Sequence, residues 1–92
     1  RGVFAVLVTG VGGQALNGIA NLGYRPTVSG DKFLLEVHCF DFDQNIYGQR
    51  IQVEFCRWIR NEQKFNGPEA LQTQIRKDVS QVQHWFRNNF TG

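Results

Sequence analysis

Glu36 and His38 lie two residues apart in Phe33-Leu34-Leu35-Glu36-Val37-His38-Cys39-Phe40, a stretch bounded by turn-forming residues on both sides. A strand is expected there, and side chains two apart share one of its faces. A carboxylate and an imidazole are therefore presented together, between Leu34 and Phe40. A hydroxyl is a poor nucleophile towards phosphorus until a positioned group takes its proton, and a carboxylate within hydrogen-bond reach can do so. His38 is a second candidate base, because its ordinary pKa lies near neutrality. The residues alone favour the plainer reading of Glu36, an edge-strand acid turned to water.

The other reactive side chains point elsewhere. Cys39 and Cys56 are the only cysteines, with no Cys-x-x-Cys and no His at finger spacing, so no zinc site is expected, and two buried thiols are expected rather than a disulfide. Gly10-Val11-Gly12-Gly13-Gln14-Ala15 matches the dinucleotide fingerprint G-x-G-x-x-A, with Asp31 about 20 residues on. The fingerprint works only where a helix opens in the glycines and offers its N–H groups to a pyrophosphate. Asn17-Gly18 and Tyr24-Arg25-Pro26 are incompatible with that helix, so a hairpin loop is expected.

Positioning these groups requires a scaffold. Val3 to Val8 is an unbroken β-favouring run, the pattern of a central strand covered on both faces. Ala15 to Leu22 predicts a weaker strand ending at Gly23, followed by loop at Arg25-Pro26-Thr27 and Ser29-Gly30-Asp31. Phe33 to Phe42 is the third strand. After a turn at Asn45-Ile46-Tyr47-Gly48, Ile51 to Ile59 is the fourth, with Ile51, Val53, Phe55 and Ile59 expected on one face. Leu71, Ile75, Val79, Val82 and Phe86 then recur at helical spacing, predicting an amphipathic helix over about 67–87. Asn66 as N-cap, Pro68 in the first turn and Glu69 three residues after the cap mark its start. The architecture this implies is mainly β: a small antiparallel, Greek-key-like barrel with strands over about 3–59 and one C-terminal helix.

Ninety-two residues, 41% hydrophobic and 13% aromatic, suit one domain with a modest core. The net charge of +2 announces no polyanion-binding surface. No apolar run approaches the roughly 18 to 20 residues of a membrane span, and Arg1-Gly2-Val3 resembles no secretory signal, so a cytoplasmic protein is expected. The opening directly into a strand suggests a fragment with an upstream part missing.

Three blocks in order carry a resemblance: Gly18-Ile19-Ala20-Asn21-Leu22-Gly23-Tyr24-Arg25-Pro26-Thr27, Leu34-Leu35-Glu36-Val37-His38, and Arg60-Asn61-Glu62-Gln63-Lys64-Phe65. Together they resemble the riboflavin kinase module of bacterial bifunctional riboflavin kinase/FAD synthetases. The resemblance implies phosphorylation of the ribityl 5′-hydroxyl of riboflavin by ATP to give FMN. It implies Glu36 as the base, with His38 its neighbour, and Arg60, Gln63 and Phe65 as the flavin-holding residues. Cys39, Asp41 and Tyr47 match the nucleotide side more loosely. Asn61 departs from the Asp that typical members carry after the Arg.

In that family Mg²⁺ and the ATP phosphates are held by a glycine-rich flap and a Pro-Thr-Ala-Asn motif ahead of the first block, and this tetrapeptide is absent from the sequence. No metal ligand is therefore assigned within these residues, and the chain by itself is expected to have little or no kinase activity. The resemblance also implies a preceding nucleotidyltransferase domain that converts FMN to FAD. Neither nucleic acid nor membrane is an expected partner, and an uncovered strand edge offers a route to dimers. The rival is a small barrel binding single-stranded nucleic acid through Arg57, Trp58, Arg60 and Phe65.

Overall fold

The structure is a computed structural model that describes residues 1–11, 13–43 and 48–89. Its elements are β1 (Gly2–Val11), β2 (Gln14–Thr27), β3 (Gly30–Cys39), β4 (Gln52–Arg60) and α1 (Pro68–Asn89). The strands form one antiparallel sheet in the order β3-β2-β1-β4. The apolar run of β1 is central, as its composition requires. Val3 and Ala5 face α1 and join Ile59, Val82 and Phe86 in one buried cluster. Val6 and Val8 face the other way and join Ala20, with Phe4, Val37, Cys39 and Val53 packed around them. Complete burial of a side chain such as Val6 or Val82 contributes roughly 1.5 to 3 kcal/mol.

Several expectations are corrected. The described strands do not close into a barrel: β3 and β4 are the two edges of an open sheet. Closure needs strand number, tilt and stagger to agree, and these four strands leave the outer two unpaired with each other. Arg25-Pro26-Thr27 is strand, not loop. Pro26 pairs with Asp31 and Thr27 with Gly30, so the β2–β3 hairpin continues to a two-residue tip at Val28 and Ser29. Proline is tolerated there because the pairing is about to end. The turn expected at Asn45-Ile46-Tyr47-Gly48 falls mostly outside the described residues.

The β1–β4 ladder has two bulges, between Val3 and Phe4 and between Ala5 and Val6, and the second inserts Cys56 as an extra residue, which turns the odd-numbered side chains after it to the other face of β4. Ile59 thereby packs under α1 while Val53 packs on the opposite side of the sheet, so the single apolar face expected for Ile51 to Ile59 is not observed. The helix starts at Pro68, with Leu71 N–H donating to the Gly67 carbonyl at 3.2 Å, which makes Gly67 rather than Asn66 the cap. Val82 and Phe86 are buried against the sheet, whereas Leu71 and Ile75, on the same stripe, are 41% and 46% exposed. The helix thus packs by its C-terminal half and overhangs the sheet by its first turns. No described helix is long and apolar enough to cross a membrane.

Candidate active site

The overhang creates a cleft of about 830 Å³ between the helix-facing side of the sheet and the start of α1. Asn21, Arg25, Glu36 and His38 form its floor; Arg60, Glu62, Gln63 and Phe65 form one end. Leu71, Ile75 and Val79 supply an apolar wall from the helix. The strand register explains the floor. Asn21 pairs with Glu36 and Ile19 with His38, so alternate residues of β2 and β3 are delivered to the face that carries α1.

On the edge strand β3, Glu36 is 59% exposed, and its Oε1 meets Arg25 Nη2 at 2.8 Å. Arg25 Nη1 donates to Glu62 Oε1 at 2.9 Å and to the Tyr24 carbonyl at 2.9 Å. One guanidinium thus ties two carboxylates from different parts of the chain. Its hydrogen bond to Glu62 raises the Arg25 pKa above its ordinary value, with the charge of Glu36 adding to the effect, so Arg25 is a fixed cation. Surface pairs of this kind contribute at most about 1 kcal/mol to stability. What they supply here is orientation.

A second arginine closes the end of the cleft. Arg60, the last residue of β4, donates from Nε to both Asp78 oxygens at 2.9 and 3.1 Å and from Nη2 to Oδ2 at 2.8 Å. Gln74 Nε2 adds a bond to Asp78 Oδ1 at 3.0 Å, and Arg60 Nη1 donates to the Asn61 carbonyl at 3.0 Å. The Arg60 guanidinium also lies 5.8 Å from the centre of the Phe65 ring. Gly2 makes this possible. A Cβ there would overlap the Arg60 carbonyl oxygen, so only glycine lets β1 begin so close to the end of β4.

Glu36, His38, Arg60, Gln63 and Phe65 are therefore gathered around one cleft. Cys39 is not among them, because it faces the opposite side of the sheet with Val6 and Val8. Asp41 lies beside a separate depression with Asn17 and Arg87. Tyr47 lies outside the described residues. Trp58, 54% exposed, pairs with Phe4, which packs against the cluster on the far side of the sheet from the cleft, so Trp58 and the Arg60–Phe65 pair do not form one surface.

Sequence reasoning passed over Arg25, Glu62, Asn21 and Asp78. An acid at position 78 between Ile75, Val79 and Val82 interrupts the apolar stripe, and that interruption was the available signal. The side-chain amide oxygen of Asn21, Oδ1, beside Glu36 in the register, is buried without a hydrogen-bond partner among the described residues. Such an atom in a cleft is unusual and costly unless something else satisfies it.

The family model described as riboflavin kinase, or flavokinase, matches residues 1–86. The chain belongs to the riboflavin kinase family. It is 52% identical over 88 residues to a bifunctional riboflavin kinase/FMN adenylyltransferase of Haemophilus influenzae, covering 96% of this chain and 29% of the relative. The corresponding Escherichia coli K12 protein is 44% identical over 86 residues, covering 94% of this chain and 28% of the relative. An RNA-binding riboflavin kinase of Bacillus subtilis is 41% identical over 87 residues, covering 94% and 37%. The riboflavin kinase domain described here thus spans less than a third of the bifunctional relatives in Haemophilus and Escherichia. Among solved structures, a Streptococcus pneumoniae protein described as a macrolide-efflux protein superposes with a TM-score of 0.79 at 32% identity, over 91% of this chain and 27% of that one.

Proposed function

We propose that this riboflavin kinase domain, residues 1–92, holds riboflavin in the cleft and presents its ribityl 5′-hydroxyl to Glu36. The observation that carries the proposal is the meeting of an exposed carboxylate, an aromatic ring and an amide with an apolar helix wall in one cleft. Phe65, Leu71 and Ile75 give a flat, oily ring system a surface, and Gln63 can bond its oxygens and nitrogens. In the transfer step the hydroxyl oxygen forms a bond to the γ-phosphorus of ATP, its proton passes to Glu36, and the bond to ADP breaks. Glu36 Oε1 is held by Arg25, which leaves Oε2 to accept that proton.

Magnesium takes oxygen ligands in near-octahedral geometry. Among the described residues no group of three His, Cys, Asp or Glu side chains converges to hold a metal, and the sequence lacks Pro-Thr-Ala-Asn. We assign the nucleotide and its metal to a part of the protein outside these residues, and derive no step through the metal. In a protein as long as its relatives, further strands would pair with the open edges β3 and β4 and close a Greek-key-like barrel. A nucleotidyltransferase domain would there convert FMN to FAD. A cytoplasmic setting suits Cys39 and Cys56, which are both free thiols.

Riboflavin fluorescence tests the cleft directly. Titrating the 92-residue chain into riboflavin should quench its emission, Phe65→Ala should weaken the quenching, and no FMN should form from ATP. An unquenched titration removes the flavin site. The binding should also hold between about 50 and 200 mM salt, whereas a nucleic-acid-binding barrel would bind an oligonucleotide with an affinity that falls steeply over that range.

A further inference from the structure

Residues 21, 23 and 25 share the cleft face of β2, and the middle one has no side chain. The space over Gly23 is filled by the Glu62 carboxylate, and a Cβ at Gly23 would overlap it. Arg25 contacts Glu62 through Nη1 and Glu36 through Nη2. Glu62 itself stands two residues after the end of β4, at the closed end of the cleft.

We propose that Gly23 and Glu62 are positioning residues for the base: Glu62, seated over Gly23, anchors the Arg25 guanidinium so that Arg25 fixes one oxygen of Glu36 and aims the other into the cleft. The inference rests on the reading of Glu36 as the proton acceptor. Arg25 carries one long side chain with many rotamers, and a single exposed ion pair to Glu36 would not hold it still. A second carboxylate on the same fork does, because a planar guanidinium can serve two acceptors at fixed angles. The Tyr24 carbonyl takes another donor of the Glu62-bound Nη1, which removes further freedom. Lysine has no such fork, so it cannot replace Arg25 in this role.

Gly23→Ala probes the link without deleting any charge. Gly23 has ordinary strand geometry, and the atoms its methyl would meet are the far end of the Glu62 side chain, which can swing away. The experiment uses the Haemophilus influenzae relative carrying these residues in place of its own matching stretch, with riboflavin-dependent ATP turnover as the readout. Gly23→Ala, Glu62→Gln and Arg25→Lys should each lower kcat by about 10- to 100-fold, the size of effect a misplaced reacting group produces. KM for riboflavin and thermal midpoint should stay at parental values, and Gly23→Ala with Glu62→Gln should be no worse than either alone. Should Gly23→Ala lower the thermal midpoint, Glu62→Gln alone decides. Parental kcat in both Gly23→Ala and Glu62→Gln, with activity lost in Glu36→Gln, overturns the inference and leaves the base in place. Parental kcat in Glu36→Gln removes the base itself, and the inference with it.

Discussion

The Asp78 carboxylate grips the Arg60 guanidinium through contacts of 2.9, 3.1 and 2.8 Å, joining the end of β4 to the middle of α1 across 18 residues of sequence. Asp78 is only 3% exposed. The fork that the family resemblance assigns to flavin is thus largely spent on the helix, and the pair ties the end of β4 to α1 at the cleft.

Removing one partner of such a pair strands the other charge in a partly buried site. Asp78→Ala should therefore cost about 3 kcal/mol in urea unfolding and weaken riboflavin quenching together with it. The double variant Arg60→Met/Asp78→Leu, with no charge left to strand, should recover most of that stability. A double variant as unstable as Asp78→Ala would show that the charge pair is not what matters.

The two halves of the helix stripe should behave differently. Val82 is fully buried on the sheet, and Val82→Ala should destabilise by about 1 to 3 kcal/mol. Leu71 faces the cleft, so Leu71→Ser should stay within about 0.5 kcal/mol of the parent in unfolding yet weaken riboflavin binding. Paired denaturation and fluorescence titrations check both. Equal effects of the two variants on stability would mean that the overhang is packed in solution.

Burial pushes the Cys39 thiol above its ordinary value of 9.0, and burial with the Glu54 charge does the same for Cys56, against a smaller opposing contribution from a Leu7 backbone hydrogen bond. Both should alkylate with iodoacetamide more slowly than a free peptide thiol at pH 8 to about 9. The sign for stability follows from linkage. Above the ordinary value the unfolded chain releases its thiol protons before the folded one does, so these groups stabilise the fold fully below that pH and lose their contribution as pH rises through the folded values. Alkylation at the free-peptide rate would place the thiols in water.

Some of this structure was legible from residue type alone. Val3 to Val8 reads as a central strand because both of its faces are buried, and the helix reads from its stripe. Other parts required tertiary information. The strand through Arg25-Pro26-Thr27 exists because β3 pairs with it to the tip, overriding a local preference for loop. The rotation of Ile59 onto the helix side comes from a bulge at Cys56 that no alternation pattern encodes. The four strands themselves are legible, but whether β3 and β4 pair to close the sheet is a long-range relation that periodicity does not carry.

The site shows the same division. The three blocks led to Glu36, Arg60, Gln63 and Phe65, and these do line one cleft. Arg25 and Glu62 lie in those blocks as well. Their linkage over the empty face of Gly23 depends on long side chains reaching back along a strand, which spacing does not reveal. Asp78 was hidden because a helical stripe is read for its apolar members, and its partner lies on a strand.

The central claim is that Glu36 takes the proton of the attacking hydroxyl. The most direct test compares Glu36→Gln with the parent sequence, both carried in the Haemophilus influenzae relative, for riboflavin-dependent ATP turnover at saturating riboflavin. The account predicts a fall in kcat of about 10²- to 10⁴-fold, the usual contribution of a general base, with riboflavin quenching retained. Equal turnover by the two proteins would contradict it.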